Sequence, residues 1–322
     1  MGIECKPSAG KSKLSPKIYD LVIIGGGPAG MGAAIYASRY KINCVIVSPA
    51  LGGIIADAHT IENWLGENSI SGMDLVKKFA GHVKAQKVPI IEECATKITQ
   101  NQANPGLYNV YTDTKILRTK FVLISSGLMR RKLNVPGEKE FSGKGISYCA
   151  TCDAPLFRGF NAAVIGGGDS AASAAILAAK YAKQVYIIYR KDKLKAEPYW
   201  QDMIKRTKNI KVMYNTNVTE FLGDKMLKGA KLDNGKELKL GGVIVEVGSV
   251  PTDMLIKDLK VKTDDKGYIM VDQTMQTNIK GIYAAGDVNN ASNNFKQIAT
   301  AFGESAVAAN AVFMNLHKNK YS

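Results

Sequence analysis

Two cysteines, Cys149 and Cys152, stand two residues apart, and a carboxylate, Asp153, follows directly. A Cys-x-x-Cys pair can close a disulfide over a short loop, and a lowered thiol pKa makes one of its sulfurs nucleophilic. The pair lies between two glycine-rich turns, which begin at Gly25 and Gly166. A dithiol between two nucleotide-binding turns predicts that electrons pass from one bound nucleotide, through a second, to a disulfide.

Zinc binding is the main alternative role for a Cys-x-x-Cys pair. A structural zinc site takes four ligands, and no second Cys or His pair stands at a useful spacing, since the histidines are only His59, His82 and His317. The remaining cysteines are too few and too scattered for the disulfide framework of a secreted protein. The sequence therefore predicts no metal site.

The composition is that of a soluble globular protein with two domains. A length of 322 residues favours two domains over one, and the apolar share of 46% and charged share of 22% are ordinary. No apolar run approaches the ~20 residues of a membrane span. The polar, lysine-bearing start lacks the apolar stretch of a secretory signal. We therefore expect a cytoplasmic protein that begins with a loose tail, which includes Cys5.

The net charge is +15, from 43 basic and 28 acidic residues. The lysines are spread along the chain, whereas nucleic-acid binding needs a clustered basic face with aromatic or motif support. The densest basic region, residues 225–239, predicts a hairpin with solvated lysines around Asp233-Asn234-Gly235. The charge therefore indicates solubility and attraction to an acidic partner protein, and it predicts no nucleic-acid binding.

The first glycine-rich turn joins a predicted strand to a predicted helix. Residues 18–24 are apolar and rich in β-branched side chains, residues 31–40 are alanine-rich, and residues 43–48 form a second apolar run. Such a β-turn-α-β unit binds the pyrophosphate of a dinucleotide, because the helix N-terminus supplies free N–H groups and the positive end of a dipole.

The residues of this turn have separate roles. Gly25 permits the tight turn, Gly27 lets a pyrophosphate approach the backbone, and Gly30 lets helix and strand pack closely. An Asp or Glu usually follows about 20 residues on and binds a ribose hydroxyl, but here the second strand ends at Ser48 and Pro49. Ser48 is therefore the candidate for a weaker ribose contact.

A second β-turn-α-β unit follows the dithiol, so the architecture repeats. Its second predicted strand, residues 184–188, leads into Arg190 and Lys191, with Lys195 nearby. An acid there would favour NAD, whereas these cations favour the extra phosphate of NADP; the alternative is a solvated basic loop. The other apolar runs predict helices at residues 72–86, 171–181 and 303–317, and strands at residues 88–92, 107–113, 116–118, 120–124, 161–165, 242–247, 268–272 and 281–288.

With both turns, the dithiol and the late pair Gly286-Asp287 in place, the sequence resembles the low-molecular-weight thioredoxin reductases over residues 17–316. The resemblance is specific, because Cys149-Ala150-Thr151-Cys152-Asp153 lies just before the second nucleotide motif. It implies an α/β fold with two Rossmann-like dinucleotide-binding domains, the second inserted into the first. The implied division is a flexible tail at residues 1–16, an FAD-binding domain at residues 17–126 and 252–322, and an NAD(P)H-binding domain carrying the dithiol at residues 127–251.

The two turns and the resemblance together give the candidate binding residues. For FAD these are Gly25, Gly26, Gly27, Pro28, Ala29, Gly30, Ser48, Gly53, Asn63, Asp287, Lys296, Gln297 and Ile298. For NADP they are Gly166, Gly168, Asp169, Ser170, Ala171, Arg190, Lys191 and Lys195.

Two stretches depart from the family pattern. Ser173 and Ala174 stand where the nucleotide helix of relatives usually carries a Glu pair, and Tyr189-Arg190-Lys191 replaces a His-Arg-Arg run. Arg clamps a phosphate in a bidentate way and Lys does not. The charges needed for a 2′-phosphate are kept, but their geometry is changed.

The resemblance implies the activity of a thioredoxin-disulfide reductase. Electrons would pass from NADPH through FAD to the Cys149–Cys152 disulfide, and then to the disulfide of thioredoxin or of a thioredoxin- or glutaredoxin-like protein. It further implies that Cys152 faces the flavin, that Cys149 attacks the partner, and that relatives are commonly homodimers. Asp153 would serve as acid and base if burial raises its pKa; its alternative role is a turn or helix cap.

Other functions stay open at this point. The alternatives are the same reductase with ferredoxin or a reduced deazaflavin as electron donor, a flavin-binding redox sensor without turnover, and a flavin-dependent oxidase that passes electrons to oxygen. The dithiol must reach both the flavin and a bulky partner, and the nicotinamide must reach the flavin too. A single rigid arrangement cannot satisfy all three demands, so we expect the inserted domain to rotate about crossings near residues 127–137 and 248–251.

Overall fold

The computed structural model describes residues 13–251 and 254–317. In chain order the strands are β1 (Lys13–Ile24), β2 (Cys44–Val47), β3 (Ile90–Ile91), β4 (Ala95–Gln100), β5 (Tyr108–Thr112), β6 (Lys115–Ile124), β7 (Met129–Arg130), β8 (Ile146–Ser147), β9 (Asn161–Ile165), β10 (Gln184–Ile188), β11 (Ile210–Met213), β12 (Val218–Gly223), β13 (Leu227–Leu232), β14 (Glu237–Lys239), β15 (Gly242–Val245), β16 (Ser249–Val250) and β17 (Ile282–Ala284). The α-helices are α1 (Pro28–Arg39), α2 (Gly72–Ala85), α3 (Ala150–Asp153), α4 (Asp169–Ala179), α5 (Pro198–Arg206) and α6 (Ile298–Leu316).

The first strand is longer than the sequence predicts. It begins at Lys13, so the expectation of a loose tail is wrong for residues 13–16, while residues 1–12, with Cys5, lie outside the described part. The start of β1 pairs with the start of β6, and the register slips between Leu14 and Ile18. Pro16 explains the slip, because proline has no N–H to donate to a strand ladder.

The first sheet has the order β3-β2-β1-β6-β5-β4, with β17 pairing with the far end of β6. Strands β3, β2, β1, β6 and β17 run parallel, and β5 and β4 extend the sheet in antiparallel fashion. Side chains of β1 alternate between the two faces: Leu21 and Ile23 pack with the helical layer of α1 and α6, and Val22 and Ile24 pack on the opposite face. This sheet therefore positions the first glycine turn at the carboxyl end of β1.

The second sheet is fully parallel, in the order β11-β10-β9-β15-β8. A three-stranded antiparallel sheet, β12-β13-β14, lies beside it and contains the hairpin predicted for residues 225–239. All these strands fall between β7 and β16, which pair with each other in antiparallel fashion. The two Rossmann-like units of the predicted α/β fold are therefore confirmed, whereas the exact domain bounds stay a prediction.

Several predicted elements differ from the observed ones, and the strands predicted at residues 88–92 and 281–288 shorten to Ile90–Ile91 and Ile282–Ala284. Residues 115–124 form one strand instead of two, because the run continues its pairing with β1 through Thr119 and Phe121. Helix α6 begins at Ile298 rather than near residue 303, since Gln297 and Thr300 form a reciprocal capping box there. Residues 268–272 make only an isolated bridge at Ile269 and no strand.

Candidate functional site

The first glycine turn is fixed by contacts that exclude any side chain. Gly25 has φ +112°, and a Cβ there would lie 2.2 Å from the carbonyl oxygen of Ser125. A Cβ on Gly30 would lie 1.8 Å from the carbonyl oxygen of Gly25. At Gly27 the nearest such contact is 4.0 Å away, so the backbone there is open. No side chain caps the start of α1, and its N–H groups are oriented to bind an anion.

Ser48 lies in the predicted place but is already engaged. It is buried at the end of β2, and its hydroxyl donates to the carbonyl of Ala50 at 2.6 Å. A ribose could therefore use only the acceptor lone pairs of this oxygen. The contact is weaker than the acid that usually stands at this strand end.

The turn at Gly286-Asp287 is held by a buried acid, Glu304 of α6. One carboxylate oxygen of Glu304 accepts from the Gly286 N–H and the Asn289 side-chain amide, each at 2.8 Å, and the other accepts from the Ser292 hydroxyl at 2.6 Å. Sequence reasoning missed Glu304, although it is the only acidic residue in α6. An isolated acid in an apolar helix is a usable signal, because a buried carboxylate needs partners.

Asp287 directly follows Gly286, which Glu304 holds, and its side chain lines a large cavity. Burial raises the pKa of its carboxyl; the Lys296 ammonium opposes the shift and the Glu304 carboxylate adds to it. Lys296 donates to the Asn289 carbonyl and stands over the Tyr268 ring at 4.8 Å. Asn63, which also lines the cavity, donates to the side chain of Gln297 at 3.1 Å.

We expect Asp287→Asn to stabilise the ligand-free protein at neutral pH. Because the folded-state pKa of Asp287 lies above the unfolded value of about 3.9, the folded chain holds more protons between the two values. Stability is therefore lost as pH rises through that window. Calorimetry should give a higher Tm for the variant at pH 7 and no difference at about pH 3, where both states are protonated.

Asp272→Asn is the matched control and should have the opposite sign. Burial disfavours the Asp272 carboxylate, but hydrogen bonds from Thr274 and Gln276 outweigh it and lower the pKa. Its stabilisation is present above the unfolded pKa and is lost as pH falls through the folded one. A Tm for Asp287→Asn below that of the natural protein at pH 7 would contradict the assignment.

The two cysteines form a disulfide with a Cα–Cα distance of 5.4 Å. Cys149 caps the short helix α3, its sulfur accepting the Cys152 N–H at 3.2 Å, while its own N–H donates to Ser147 at 3.0 Å. Cys149 is 6% exposed, whereas Cys152 is open to solvent. Asp153 is half-buried and is the last residue of α3. This position is compatible with the alternative role of a turn or helix cap.

A carboxylate from the first domain lies beside the disulfide, and sequence reasoning missed it. One oxygen of Asp57 and the two sulfurs all lie within 4.8 Å of one another. Asp57 ends a 3-10 helical turn, Gly53–Asp57, and the Thr151 hydroxyl donates to its carbonyl at 2.7 Å. These contacts join the first domain to the dithiol helix.

Arg130 of β7 completes this cluster. Its guanidinium contacts Asp57 at 2.9 Å and Glu246 at 3.0 Å, and the three side chains are between 11% and 23% exposed. Burial disfavours the charge on Arg130, but the two carboxylates outweigh it and raise its pKa. The cluster ties together the first domain, one crossing strand and the end of the second sheet.

In the second glycine turn, as in the first, close contacts leave no room for a side chain. Gly166 has φ +143°, and a Cβ there would lie 2.1 Å from the Glu246 carbonyl oxygen. The Tyr189 ring covers Gly167, where an added Cβ would approach it to 2.5 Å. No side chain caps the start of α4 at Gly168, so this helix also presents its N–H groups to an anion.

The basic loop after β10 folds over this turn. Backbone N–H groups of Lys195 and Ala196 donate to the Gly167 carbonyl at 2.7 and 3.1 Å, and the Glu197 N–H donates to Asp169 at 2.7 Å. The side chains of Arg190, Lys191 and Lys195 are exposed. Within residues 13–251 and 254–317 no carboxylate forms an ion pair with any of the three.

One continuous cavity of about 2230 Å³ joins these features, larger than the ~300–1,000 Å³ of an ordinary ligand pocket. Of the predicted site residues only Gly30 lies outside its lining, because Gly30 serves the packing of α1 against the turn. The structure thus brings together the two turns, the disulfide, Asp153, the basic loop and the segment Lys296-Gln297-Ile298.

The first turn and its surroundings fit FAD. The open backbone at Gly27 and the uncapped start of α1 suit a pyrophosphate, and the Asp287 carboxylate can accept from sugar hydroxyls. The hydroxyl of Ser126 is buried in the same lining without a hydrogen-bond partner among the described residues. A bound polar ligand would satisfy this orphaned group.

Comparison with known proteins gives consistent matches over nearly the whole chain. The profile of the family described as "Pyridine nucleotide-disulphide oxidoreductase" matches residues 19–305. The thioredoxin reductase of Ureaplasma parvum is 39% identical over 302 residues, covering 92% of this chain and 96% of the relative. Among the described helices, none has both the length and the apolarity to cross a membrane.

Two solved structures match with different TM-scores. The thioredoxin reductase of Lactococcus lactis in the "FR conformation" is 34% identical, with a TM-score of 0.88 over 93% of this chain and 99% of that one. The thioredoxin reductase of Streptococcus pyogenes is 35% identical over 94% and 100%, but its TM-score is 0.62.

Proposed function

The chain belongs to the pyridine nucleotide-disulphide oxidoreductase family, and on that premise we propose that it reduces the disulfide of thioredoxin, or of a thioredoxin- or glutaredoxin-like protein, with electrons from NADPH. The family implies FAD and a pyridine nucleotide as the carriers. The observation that carries the proposal is the Cys149–Cys152 disulfide, which lines the same cavity as both glycine turns. The resemblance also supports a cytoplasmic homodimer.

In the proposed FAD site, each group has a defined task. The first turn and the start of α1 hold the pyrophosphate, and Asp287 binds hydroxyls of the FAD chain. Asn63 and the segment Lys296-Gln297-Ile298 border the flavin ring, where the Asn63–Gln297 hydrogen bond orients both amides. FAD supplies the two-electron step between the nicotinamide and the disulfide.

The thiols then exchange with the partner disulfide. In our proposal the Cys149 thiolate attacks one partner sulfur, a mixed disulfide forms, and Cys152 closes the Cys149–Cys152 disulfide as the partner leaves with two electrons and two protons. Asp153, adjacent to Cys152, exchanges a proton with the departing thiol. Thioredoxin sits at about −270 mV and the disulfides that it reduces lie higher, so electrons that reach the partner continue downhill.

We also propose that the inserted domain, residues 127–251, rotates during turnover. Cys149 is buried in this arrangement, so a protein partner cannot reach it without movement. The two solved relatives have almost equal identity and coverage but TM-scores of 0.88 and 0.62, which supports two arrangements of the same pair of domains. The hinge would be the β7–β16 pair.

An anaerobic donor screen tests the proposed function. Purified holoprotein is mixed with NADPH, NADH, reduced ferredoxin or reduced deazaflavin, and the flavin absorbance is followed; turnover with a thioredoxin is then measured with the active donor. Rapid bleaching by NADPH followed by multiple turnover supports the proposal. Bleaching only by ferredoxin or deazaflavin would contradict NADPH as the electron donor. No turnover with any donor would favour a redox sensor. Steady peroxide production without a partner favours an oxidase.

Arg190→Gln with Lys191→Gln should raise the KM for NADPH by at least about 100-fold, because each substitution removes a charge-assisted contact with the 2′-phosphate worth about 1.5–3 kcal/mol. The KM for NADH should stay the same, since NADH lacks that phosphate. Lys193→Gln is the matched control, because Lys193 is exposed in the same loop but lies outside the cavity lining. Equal losses with NADH and NADPH would contradict the assignment.

A further inference from the structure

The side-chain carboxylate of Asp57 lies close to both sulfurs of the redox pair. One oxygen of Asp57 and the sulfurs of Cys149 and Cys152 lie within 4.8 Å of one another. We propose that reduction converts this cluster into a three-ligand site for a thiophilic divalent cation such as Zn²⁺. The sequence-based count of Cys and His overlooked this site, because its third ligand is an acid far away in the chain.

The ligand chemistry depends on the redox state. In the disulfide neither sulfur is a thiolate, so the oxidised pair is a poor metal ligand. Reduction breaks the S–S bond and adds two electrons and two protons; Zn²⁺ then displaces both protons as two Zn–S bonds form. The site therefore exists only in the reduced protein.

The observed spacing needs little adjustment for zinc. Zn–S bonds of about 2.3 Å and Zn–O bonds of about 2.0–2.2 Å place tetrahedral ligand atoms roughly 3.5–3.8 Å apart. The Asp57 oxygen lies at most 4.8 Å from either sulfur, so it must approach them by about 1 Å or less, and the two sulfurs must separate to the same range once the S–S bond is broken. The Thr151–Asp57 hydrogen bond at 2.7 Å already holds the two backbone segments together.

The charges around the site favour a cation. After deprotonation, two thiolates lie beside the Asp57 carboxylate, and Arg130 divides its positive charge between Asp57 and the Glu246 carboxylate. Arg130 contacts one Asp57 oxygen at 2.9 Å and so orients this ligand, as outer-shell groups do in metal sites. Three protein ligands leave the fourth zinc position open.

The three proposed ligands come from both domains, so a bound cation would connect the two domains. Asp57 belongs to the 3-10 turn beside the first sheet, and the cysteines flank α3 next to the second. A bound cation would bridge the domains and occupy both thiols at once. We therefore expect Zn²⁺ to hold the reduced protein in the present arrangement.

A metal titration without nucleotide or partner tests the site independently of the proposed function. Holoprotein is reduced with a phosphine, freed of it anaerobically, and titrated with Zn²⁺ against a chromophoric chelator; Co²⁺ serves as a spectral probe through its thiolate charge-transfer bands. We expect one equivalent to bind the reduced protein. Asp57→Asn should weaken binding by at least about tenfold, since even outer-shell changes cost 10–100-fold.

Asp202→Asn is the matched control, because it removes a remote, exposed carboxylate with the same change in net charge. Cys152→Ser should abolish tight binding. Retained flavin absorbance reports folding of each variant, and Asp57→Ser replaces Asp57→Asn should the latter fail to fold. Equal affinity with and without the Asp57 carboxylate, equal binding by the oxidised protein, or no binding by the reduced protein would each overturn the proposal.

Discussion

Serine in place of Cys149 or Cys152 is expected to lower the rate of thioredoxin reduction by on the order of 10³-fold or more, because the covalent thiol path is lost. Bleaching of the flavin by NADPH should keep its rate, since the dithiol acts after the flavin in the proposed sequence. Stopped-flow absorbance measures the first step and steady-state turnover measures the whole. Turnover by either serine variant within tenfold of the natural protein would contradict the assignment.

Cys44→Ala is the matched control for these thiol variants. Cys44 is 5% exposed in β2, and burial raises the pKa of its thiol to about 11. The group therefore stays protonated at neutral pH and is a poor nucleophile. Its removal should leave both the bleaching rate and turnover unchanged.

The two serine variants should also differ from each other. In Cys152→Ser the Cys149 sulfur can still attack the partner disulfide, but no second thiol remains to release the partner from Cys149. A mixed disulfide with the partner should therefore accumulate and appear by mass spectrometry. In Cys149→Ser it should not. The opposite result would exchange the roles of the two cysteines, which would agree with the greater exposure of Cys152 in the present arrangement.

The sequence predicted the parts of the site that depend on local backbone geometry. Gly25 and Gly166 have φ of +112° and +143°, and a Cβ on either would collide with a backbone carbonyl oxygen. A glycine at such a position is obligatory, and its spacing to the next strand is visible in the sequence. The Cys149–Cys152 pair is equally local, since two residues separate its members.

The missed residues act through partners that are distant in the chain. Asp57 gains its role from Arg130 and from the disulfide, which lie on other elements, and nothing around Asp57 in the sequence marks it. Glu304 could have been noticed as an acid in an apolar helix, but its partners at Gly286 and Asn289 depend on the tertiary fold. The extension of β1 to Lys13 likewise depends on pairing with β6.

The contacts between the domains stabilise the present arrangement, but this arrangement does not expose Cys149 to a protein partner. The Asp57–Arg130–Glu246 cluster and the Thr151–Asp57 hydrogen bond stabilise it. Yet Cys149 is buried here, and thiol exchange with a protein partner needs this sulfur at the surface. These contacts must therefore break in each cycle if the proposed rotation takes place, and a covalent link across the domains should stop turnover.

Linking Glu62 to Tyr199 across the domains is expected to lower turnover at least about tenfold, because partner exchange needs the second arrangement. The Glu62 carboxylate lies close enough to the Tyr199 hydroxyl of α5 to raise its pKa, and both side chains are exposed. Cysteines placed at the two positions are joined, in the oxidised protein, by a cleavable bis-maleimide. Cleavage of the linker should restore turnover.

The single variants Glu62→Cys and Tyr199→Cys, treated with the same reagent, control for modification without linkage. They should retain the turnover of the untreated variants, because neither can bridge the domains. The linked protein should still bind FAD, since the first turn and Asp287 lie in one domain. A linked protein that reduces thioredoxin at the rate of its single-variant controls would show that the present arrangement performs every step, and that rotation about β7 and β16 is not part of the cycle.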